Sequence, residues 1–129
     1  MIATVYLSAR FQRRGELNLC REQLGEHGIG VTSRWLTLPT PELTEESWSA
    51  LAVADREDIE RADAFILFAE RDRDGAGGRH VEFGIALALH KSVIVVGRVE
   101  NLFQRLPGVR VVETWEQALK AVLEGGSET

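Results

Sequence analysis

The sequence predicts an α/β fold in which helices cover both faces of a parallel sheet. Two observations predict it: short apolar runs rich in β-branched residues recur along the chain, and segments with helical apolar spacing lie between them. A strand followed by a helix and another strand needs a crossover connection, which makes neighbouring strands parallel. Five such runs suit a flavodoxin-like, doubly wound sheet with the strand order 2-1-3-4-5.

The apolar runs give the five predicted strands. They cover residues 2–7, 29–35, 64–68, 92–97 and 109–112. Apolar residues at intervals of three and four predict the helices. These residues are Leu17, Cys20 and Leu24, then Trp48, Ala52, Ile59 and Ala62, then the run 81–89, and finally Trp115, Ala118, Leu119, Val122 and Leu123. Thr114 and Gln117 have the spacing of a capping box at the start of the last helix.

Three segments look irregular. Residues 36–46, with Pro39 and Pro41, predict a long loop. Residues 70–78 are polar and glycine-rich directly after the third strand, which predicts a mobile loop at a strand's carboxyl end, where such folds bind ligands. Residues 125–129 read as a flexible tail, so we expect a single domain over residues 1–124.

Composition excludes several classes of function. The chain has 129 residues, 44% of them hydrophobic, which suits one soluble domain. Its net charge of −5 argues against a protein that coats polymeric nucleic acid. The single cysteine, Cys20, excludes an internal disulfide and a cysteine-based zinc site. No apolar run approaches the roughly 20 residues that span a bilayer, and residues 1–7 lack signal-peptide features, so we expect a cytoplasmic protein without a membrane partner.

The loop after the first strand predicts an anion-binding turn. The topological switch point lies between strands one and three, so the loops that follow Leu7 and Phe68 border one crevice. The first loop contains Ser8, Ala9, Arg10, Phe11, Gln12, Arg13 and Arg14. Its hydroxyl, guanidinium groups and helix amides suit an anion such as phosphate. The alternative is a solvated basic turn.

The second loop leads into a helix that carries Glu82. The glycines before it, Gly75, Gly77 and Gly78, let a ligand approach the backbone closely. Glu82 lies in the first turns of an otherwise apolar helix, so its carboxylate has few partners except across the crevice. A helix amino terminus favours the ionised form, which can act as a nucleophile or base. The alternative is a glutamate that only stabilises the helix dipole.

Asp55 interrupts an apolar stripe on the second helix. A carboxylate there is costly unless it is paired, raised in pKa or open to a cleft, and such groups cluster at functional sites. The alternative is a rotated helix that exposes Asp55. Three other acids nearby are expected to be ordinary helix-surface or turn charges: Glu57, Asp58 and Asp63.

Tyr6 and two histidines complete the candidate polar groups. Tyr6 lies at the end of the first strand, where its phenol either hydrogen-bonds a carboxylate across the crevice or is a core aromatic with a solvated tip. His80 and His90 have no third ligand at a metal-binding spacing, so no metal is expected.

Four motifs occur together in the predicted context of strand, loop and helix. They are Tyr6-Leu7-Ser8-Ala9-Arg10, Asp55 followed by Ile59 and Ala62-Asp63, the glycine-flanked segment 78–84 around Glu82, and residues 91–96 of the fourth strand. As a set they resemble the nucleoside 2-deoxyribosyltransferase family and its relatives, the deoxynucleoside 5′-monophosphate N-glycosidases. The resemblance spans most of the chain.

The resemblance implies three catalytic residues and no metal or cofactor. Glu82 is implied as the nucleophile that forms a covalent glycosyl-enzyme, which agrees with the logic of double displacement. Tyr6 would hold and tune Glu82. Asp55 would protonate the leaving nucleobase, a role that a partly buried carboxyl with a raised pKa can fill.

The resemblance also implies how a deoxynucleoside or deoxynucleotide binds. The candidate substrate-binding residues are Ser8, Ala9, Arg10, Phe11, Arg13, Gly77, Gly78, Arg79 and Asn101. Asn101 would reach the 5′ side of the sugar in a neighbouring subunit, which implies a homodimer or larger homo-oligomer, with Phe103 and Leu106 as an apolar contact. Ala76 departs from the family, because the transferases have an aspartate and the monophosphate enzymes a serine at this position.

We therefore expect an enzyme that cleaves the N-glycosidic bond of 2′-deoxynucleosides or their 5′-monophosphates and passes the sugar to another base or to water. Ser8, Arg10 and Arg13 favour a nucleotide substrate, whereas the family name favours transfer. A non-catalytic nucleotide sensor that uses the same crevice is the alternative, and a purely structural interaction domain is a third reading.

Overall fold

The sheet of the protein has five parallel strands, as the sequence predicts. The structure, a computed structural model, describes residues 1–38, 44–70 and 77–125. Its strands are β1 (Thr4–Ser8), β2 (Gly30–Val31), β3 (Ala64–Phe68), β4 (Ser92–Val96) and β5 (Val109–Val112). They are ordered β2-β1-β3-β4-β5, and every neighbouring pair is parallel. The doubly wound order 2-1-3-4-5 is therefore confirmed.

Four α-helices connect and follow these strands in the described part of the chain. They are α1 (Arg14–Glu26), α2 (Glu45–Arg61), α3 (Gly78–Ala88) and α4 (Trp115–Leu123). Three short 3₁₀ helices lie at Phe11–Arg13, Arg34–Leu36 and Leu102–Arg105. Thr114 and Gln117 form the predicted capping box of α4, and Thr44 forms another with Ser47 at the start of α2.

Helices pack on both faces of the sheet, because strand side chains alternate between the two. On one face, Val5 and Leu7 pack with buried residues of α1 and α4. On the other face, Tyr6 and Phe65 pack with residues of α2 and α3, including Ile59 and Phe83. This second face positions the candidate site.

The predicted second strand over residues 29–35 is wrong in length. Only Gly30 and Val31 pair with β1, and the 3₁₀ helix Arg34–Leu36 follows. Side chains replace the missing ladder: the Ser33 hydroxyl accepts the Leu7 N–H at 2.7 Å, and the Trp35 indole donates to the Leu7 carbonyl at 3.0 Å. The end of the apolar run therefore belongs to the 3₁₀ helix and not to a strand, and this helix buries the next residue, Leu36.

Other boundaries differ by a few residues. β1 begins at Thr4 and includes Ser8. α3 begins at Gly78, since the left-handed φ of 82° at Gly77 lets the chain turn into the helix there. The predicted loop over residues 36–46 ends earlier, because Thr44 caps α2; residues 39–43 within it lie outside the described residues.

The predicted mobile loop and flexible tail lie largely outside the described residues, which omit 71–76 and 126–129. Among the helices of the described ranges, none is long and apolar enough to cross a membrane.

Candidate active site

The candidate site lies where β1 and β3 end side by side. Ser8 pairs in register with Leu67, so the chain segments that leave the two strands start from neighbouring positions. Tyr6 and Ser8 are two residues apart in β1 and therefore face the same side of the sheet. That side carries α2 and α3, which bring Asp55 and Glu82 to the same place.

Both carboxylate oxygens of Glu82 are held by hydroxyl groups. The Tyr6 phenol donates to Oε2 at 2.7 Å, and the Ser8 hydroxyl donates to Oε1 at 2.7 Å. Tyr6 and Ser8 are fully buried, which fixes their positions. Short hydrogen bonds of this kind stabilise an ionised carboxylate and orient it. Glu82 is thus a pre-positioned anion whose two hydroxyl partners are neutral.

Asp55 is the third polar partner of Glu82. Burial first, then the charge of Glu82 and the hydrogen bond between the two groups, raise the pKa of Asp55 to about 7. Burial also raises the pKa of Glu82, but the hydrogen bonds from Tyr6, Ser8 and Asp55 oppose that rise. Below about pH 7, Asp55 is therefore the member of the pair that carries the proton, which it donates in a hydrogen bond to Glu82.

Tyr6 is both a core aromatic and a partner of Glu82. Its ring stacks on Phe65 with centroids 5.6 Å apart, and its hydroxyl still reaches Glu82. Burial, followed by the charges of Glu82 and Asp55, raises the pKa of Tyr6 well above its ordinary value. The phenol therefore stays protonated and acts as a fixed donor.

The arginines of the first loop are paired with acids. Arg13 binds Glu16 at 2.7 Å and Glu70 at 3.0 Å, and it lies over the ring of Phe68. Arg10 faces Glu70 at 3.6 Å. The sequence predicted three arginines open to an anion, whereas the structure shows two of them sharing an acid.

The remaining residues of this loop contact the chain after β2 and the core. Arg14 donates to the carbonyls of Leu36 and Leu38 and lies over the Phe11 ring, so it ties the loop to the chain after β2. Phe11 is 48% exposed and tilted against Trp35. Ala9 packs against the core on the α1 and α4 face.

The predicted binding residues around α3 have different surroundings. Gly77 and Gly78 lead into the helix, while Gly75 and Ala76 lie outside the described residues. Arg79 is buried and pairs with Glu100, with its Nη2 atom 2.5 Å from a carboxylate oxygen. This contact anchors the first turn of α3 and thereby the helix that carries Glu82. Arg79 thus faces Glu100.

Asn101 starts the 3₁₀ helix Leu102–Arg105. Its side-chain oxygen accepts the Phe103 N–H at 3.0 Å, and its amide lies 3.5 Å from the His80 ring. These contacts link Asn101 to the amino-terminal turn of α3 and not directly to Glu82. His80 also lies 3.3 Å from Glu100.

The prediction that Asp58 is an ordinary helix-surface or turn charge is wrong. It is completely buried and accepts hydrogen bonds from the backbone and side chain of Arg34 and from Arg61. The stripe that contains Asp55 is also shorter than predicted, since Trp48 and Ala52 are exposed. Glu57 is exposed and pairs with Arg34, and Asp63 accepts the backbone N–H groups of Ala3 and Thr4.

Sequence reasoning missed Glu70, Glu100 and Asp58. For Asp58 a signal was present, because it lies one turn after Asp55 beside the apolar Ile59. Glu70 and Glu100 offered no local signal, since their cationic partners come from other elements. Among the described residues, no group of three or more His, Cys, Asp or Glu side chains is arranged to hold a metal ion.

The fold and the polar cluster define a doubly wound α/β protein with a carboxylate site at the carboxyl edge of its sheet. A 2-deoxyribosyltransferase from the psychrotolerant bacterium Bacillus psychrosaccharolyticus shares this fold, with 24% identity, a TM-score of 0.73 and 89% of each chain covered. The CMP N-glycosidase of Clostridium botulinum shares it with 18% identity, a TM-score of 0.61, and 94% of this chain and 98% of that chain covered. No protein-family model and no curated protein matches the sequence. The resemblance inferred from the motifs is thereby confirmed at the level of the fold.

Proposed function

We propose that the protein cleaves the N-glycosidic bond of 2′-deoxynucleosides or their 5′-monophosphates through a covalent intermediate on Glu82. The observation that carries the proposal is the arrangement of Glu82, whose two oxygens are each held at 2.7 Å by a neutral hydroxyl beside the proton-bearing Asp55. A nucleophile and an acid in one cluster are what glycosidic cleavage requires. The names of the two structural neighbours support this class of chemistry.

In the first step, a Glu82 oxygen attacks the anomeric carbon of the deoxyribose. A bond from carbon to oxygen forms as the bond from carbon to the base nitrogen breaks, and the electron pair of that bond goes to the base. The proton of Asp55 moves to the departing base, which therefore leaves neutral. Tyr6 and Ser8 hold the carboxylate in one orientation during the attack.

In the second step, an acceptor attacks the same carbon and releases Glu82. The acceptor is another nucleobase in a transferase or water in a hydrolase, and Asp55 takes up its proton. Two displacements at one carbon give net retention of configuration. The balance between the two acceptors depends on how well the closed site excludes water.

We further propose that the protein acts as a homodimer or larger homo-oligomer. Three apolar side chains beside Asn101 are exposed in the single chain: Leu102 at 75%, Phe103 at 57% and Leu106 at 42%. An exposed apolar group of this kind suits a subunit contact. Such a contact would bring Asn101 close to a neighbouring subunit.

The test is to incubate the protein with each deoxynucleoside and each 5′-monophosphate, with and without a free acceptor base, and to follow bases and sugars by chromatography. Base released without acceptor identifies a hydrolase, and exchange that needs acceptor identifies a transferase. Glu82→Ala should abolish both, whereas Glu22→Gln, which removes an exposed charge from α1, should abolish neither. Nucleotide binding without any turnover would overturn the proposal and indicate a sensor.

A further inference from the structure

We infer that Glu70 is a specificity-determining residue that makes the crevice prefer substrates with an uncharged 5′-hydroxyl over 5′-monophosphates. The inference rests on the proposed function, because it concerns the same crevice. It also reverses the expectation from sequence that the arginines of the first loop favour a nucleotide.

Glu70 lies between the two arginines that the sequence assigned to phosphate. Its carboxylate is 3.0 Å from Arg13 and 3.6 Å from Arg10, and its side chain is only 13% exposed. The residue follows β3 by two positions, as Arg10 follows β1, so the three groups meet where the two strands end. A carboxylate therefore already occupies the position where these cations would hold an anion.

The charges of the arginines and acids in this cluster cancel. Arg10 and Arg13 contribute two positive charges, and Glu70 and Glu16 contribute two negative charges at close range. A phosphate dianion that approached the arginines would meet the partly buried carboxylate of Glu70, and like charges at this distance repel strongly. A hydroxyl group meets no such repulsion.

Glu70 is held in place by the buried pair of Glu100 and Arg79. The backbone N–H of Glu70 donates to Glu100 at 3.0 Å, and Glu100 is fixed in turn by Arg79. Arg13 adds a further tie, because it donates to the carbonyl of Ala69 at 3.1 Å. These contacts fix the backbone of Glu70, so its carboxylate can move aside for a phosphate only by a side-chain rotation that breaks its ion pairs with Arg10 and Arg13.

Arg10 keeps one donor that a ligand oxygen could use. Its Nε atom is buried and has no hydrogen-bond partner among the residues that the structure describes. A buried donor without an acceptor is costly, so a ligand oxygen that accepts from it is favoured. A hydroxyl oxygen satisfies that donor without bringing a charge next to Glu70.

The test compares Glu70→Gln with the matched variant Glu16→Gln, which removes the other, more exposed acid that pairs with Arg13. Binding of the four deoxynucleosides, their 5′-monophosphates and inorganic phosphate is measured by calorimetry in the Glu82→Ala background, so that turnover does not interfere. Glu70→Gln should raise the affinity for a monophosphate relative to its nucleoside by about tenfold, more strongly at low salt. Glu16→Gln should change the ratio much less.

The unsubstituted protein supplies a second measurement that does not depend on the variant's folding. With Glu70 present, kcat/KM for a deoxynucleoside should exceed that for its monophosphate. A preference for monophosphates that Glu70→Gln leaves unchanged or weakens would overturn the inference while leaving the proposed function intact. If the affinities for monophosphate and nucleoside change as predicted but no substrate is cleaved, the proposed function alone is overturned. Absence of binding by every ligand would overturn both.

Discussion

Glu82 and Glu100 are two carboxylates near the carboxyl edge of one sheet, and their surroundings are opposite. Glu100 has a side chain 6% exposed, lies 2.5 Å from Arg79 and also faces His80. Burial raises its pKa, but the hydrogen bonds from Arg79 and the Glu70 backbone outweigh burial, so the pKa lies below its ordinary value. Glu82 has neutral hydroxyls and a second acid, and its pKa is raised. The different hydrogen-bond partners thus give a locked anion in one place and a reactive one in the other.

The difference shows how the chain separates anchoring from chemistry. The pair of Glu100 and Arg79 compensates its own charge and holds α3 in place. The pair of Glu82 and Asp55 brings two acids together, and within the described ranges no cation donates a hydrogen bond to either. This arrangement is unfavourable for stability but leaves a proton and an anion available.

The largest expected effect is on turnover in Glu82→Gln. The amide keeps the shape of the side chain but is not a nucleophile, so kcat for base release should fall by at least about a thousandfold. Substrate affinity should change little, since Tyr6 and Ser8 still shape the site. Parallel measurements of kcat and of binding by calorimetry check this, and a variant that keeps a tenth of its turnover would contradict it.

Breaking the ion pair of Glu100 and Arg79 should instead lower the stability of the fold. Arg79→Met leaves the buried Glu100 carboxylate without its guanidinium partner, which should lower the free energy of unfolding by about 3–5 kcal/mol. Urea denaturation followed by circular dichroism measures the loss. Arg56→Met, which removes an exposed arginine from α2, is the control and should cost less than about 1 kcal/mol. Equal losses in the two variants would mean that the buried pair is not an anchor.

Asp55→Asn should separate catalysis from stability. Without an acid for the leaving base, kcat should fall by about 10²–10⁴-fold. The pKa of Asp55 is about 7 in the folded protein and lower in the unfolded chain, so the folded state binds the proton of Asp55 more tightly. The stability that this protonation contributes is therefore lost as pH rises through about 7. The variant should therefore gain thermal stability over the unsubstituted protein at about pH 8 but not at about pH 4. Melting curves of the variant and of the unsubstituted protein at the two pH values check this. An equal change in melting temperature at the two pH values would contradict it.

The smallest expected effect is a pH shift in Tyr6→Phe. Loss of the phenol removes one hydrogen bond to the Glu82 carboxylate and should raise the pKa of that group. The acidic limb of the profile of kcat/KM against pH should therefore move to higher pH. The alkaline limb, which reports Asp55, should stay near 7. An unchanged acidic limb would show that Tyr6 only fills space.

The sequence predicted most of the fold because its strands and helices carry strong local patterns. β3 and β5 have the predicted bounds, and the capping box at Thr114 forms as expected. The second strand was predicted too long because side chains of Ser33 and Trp35, not backbone pairing, satisfy the polar groups of β1 there. Such replacements depend on tertiary contacts that an apolar pattern does not encode.

The candidate site was predictable where polar residues interrupt apolar surroundings. Glu82 in an apolar helix and Asp55 beside Ile59 are visible in the sequence, and the structure places them together with Tyr6. Glu70 was not predictable in this way, because its partner Arg13 lies 57 residues away along the chain, and the Arg34 partner of Asp58 lies 24 residues away. Ion pairs between distant elements become visible only when the sheet order brings the elements together.

The most direct test of the account is to look for the deoxyribosyl group on Glu82. The protein is mixed with a deoxynucleoside without acceptor base, quenched rapidly in acid, digested and analysed by mass spectrometry. The peptide containing Glu82 should gain the mass of one deoxyribosyl group, and Glu82→Gln should show no such adduct. Base release without any modified peptide, together with retained turnover in Glu82→Gln, would contradict it.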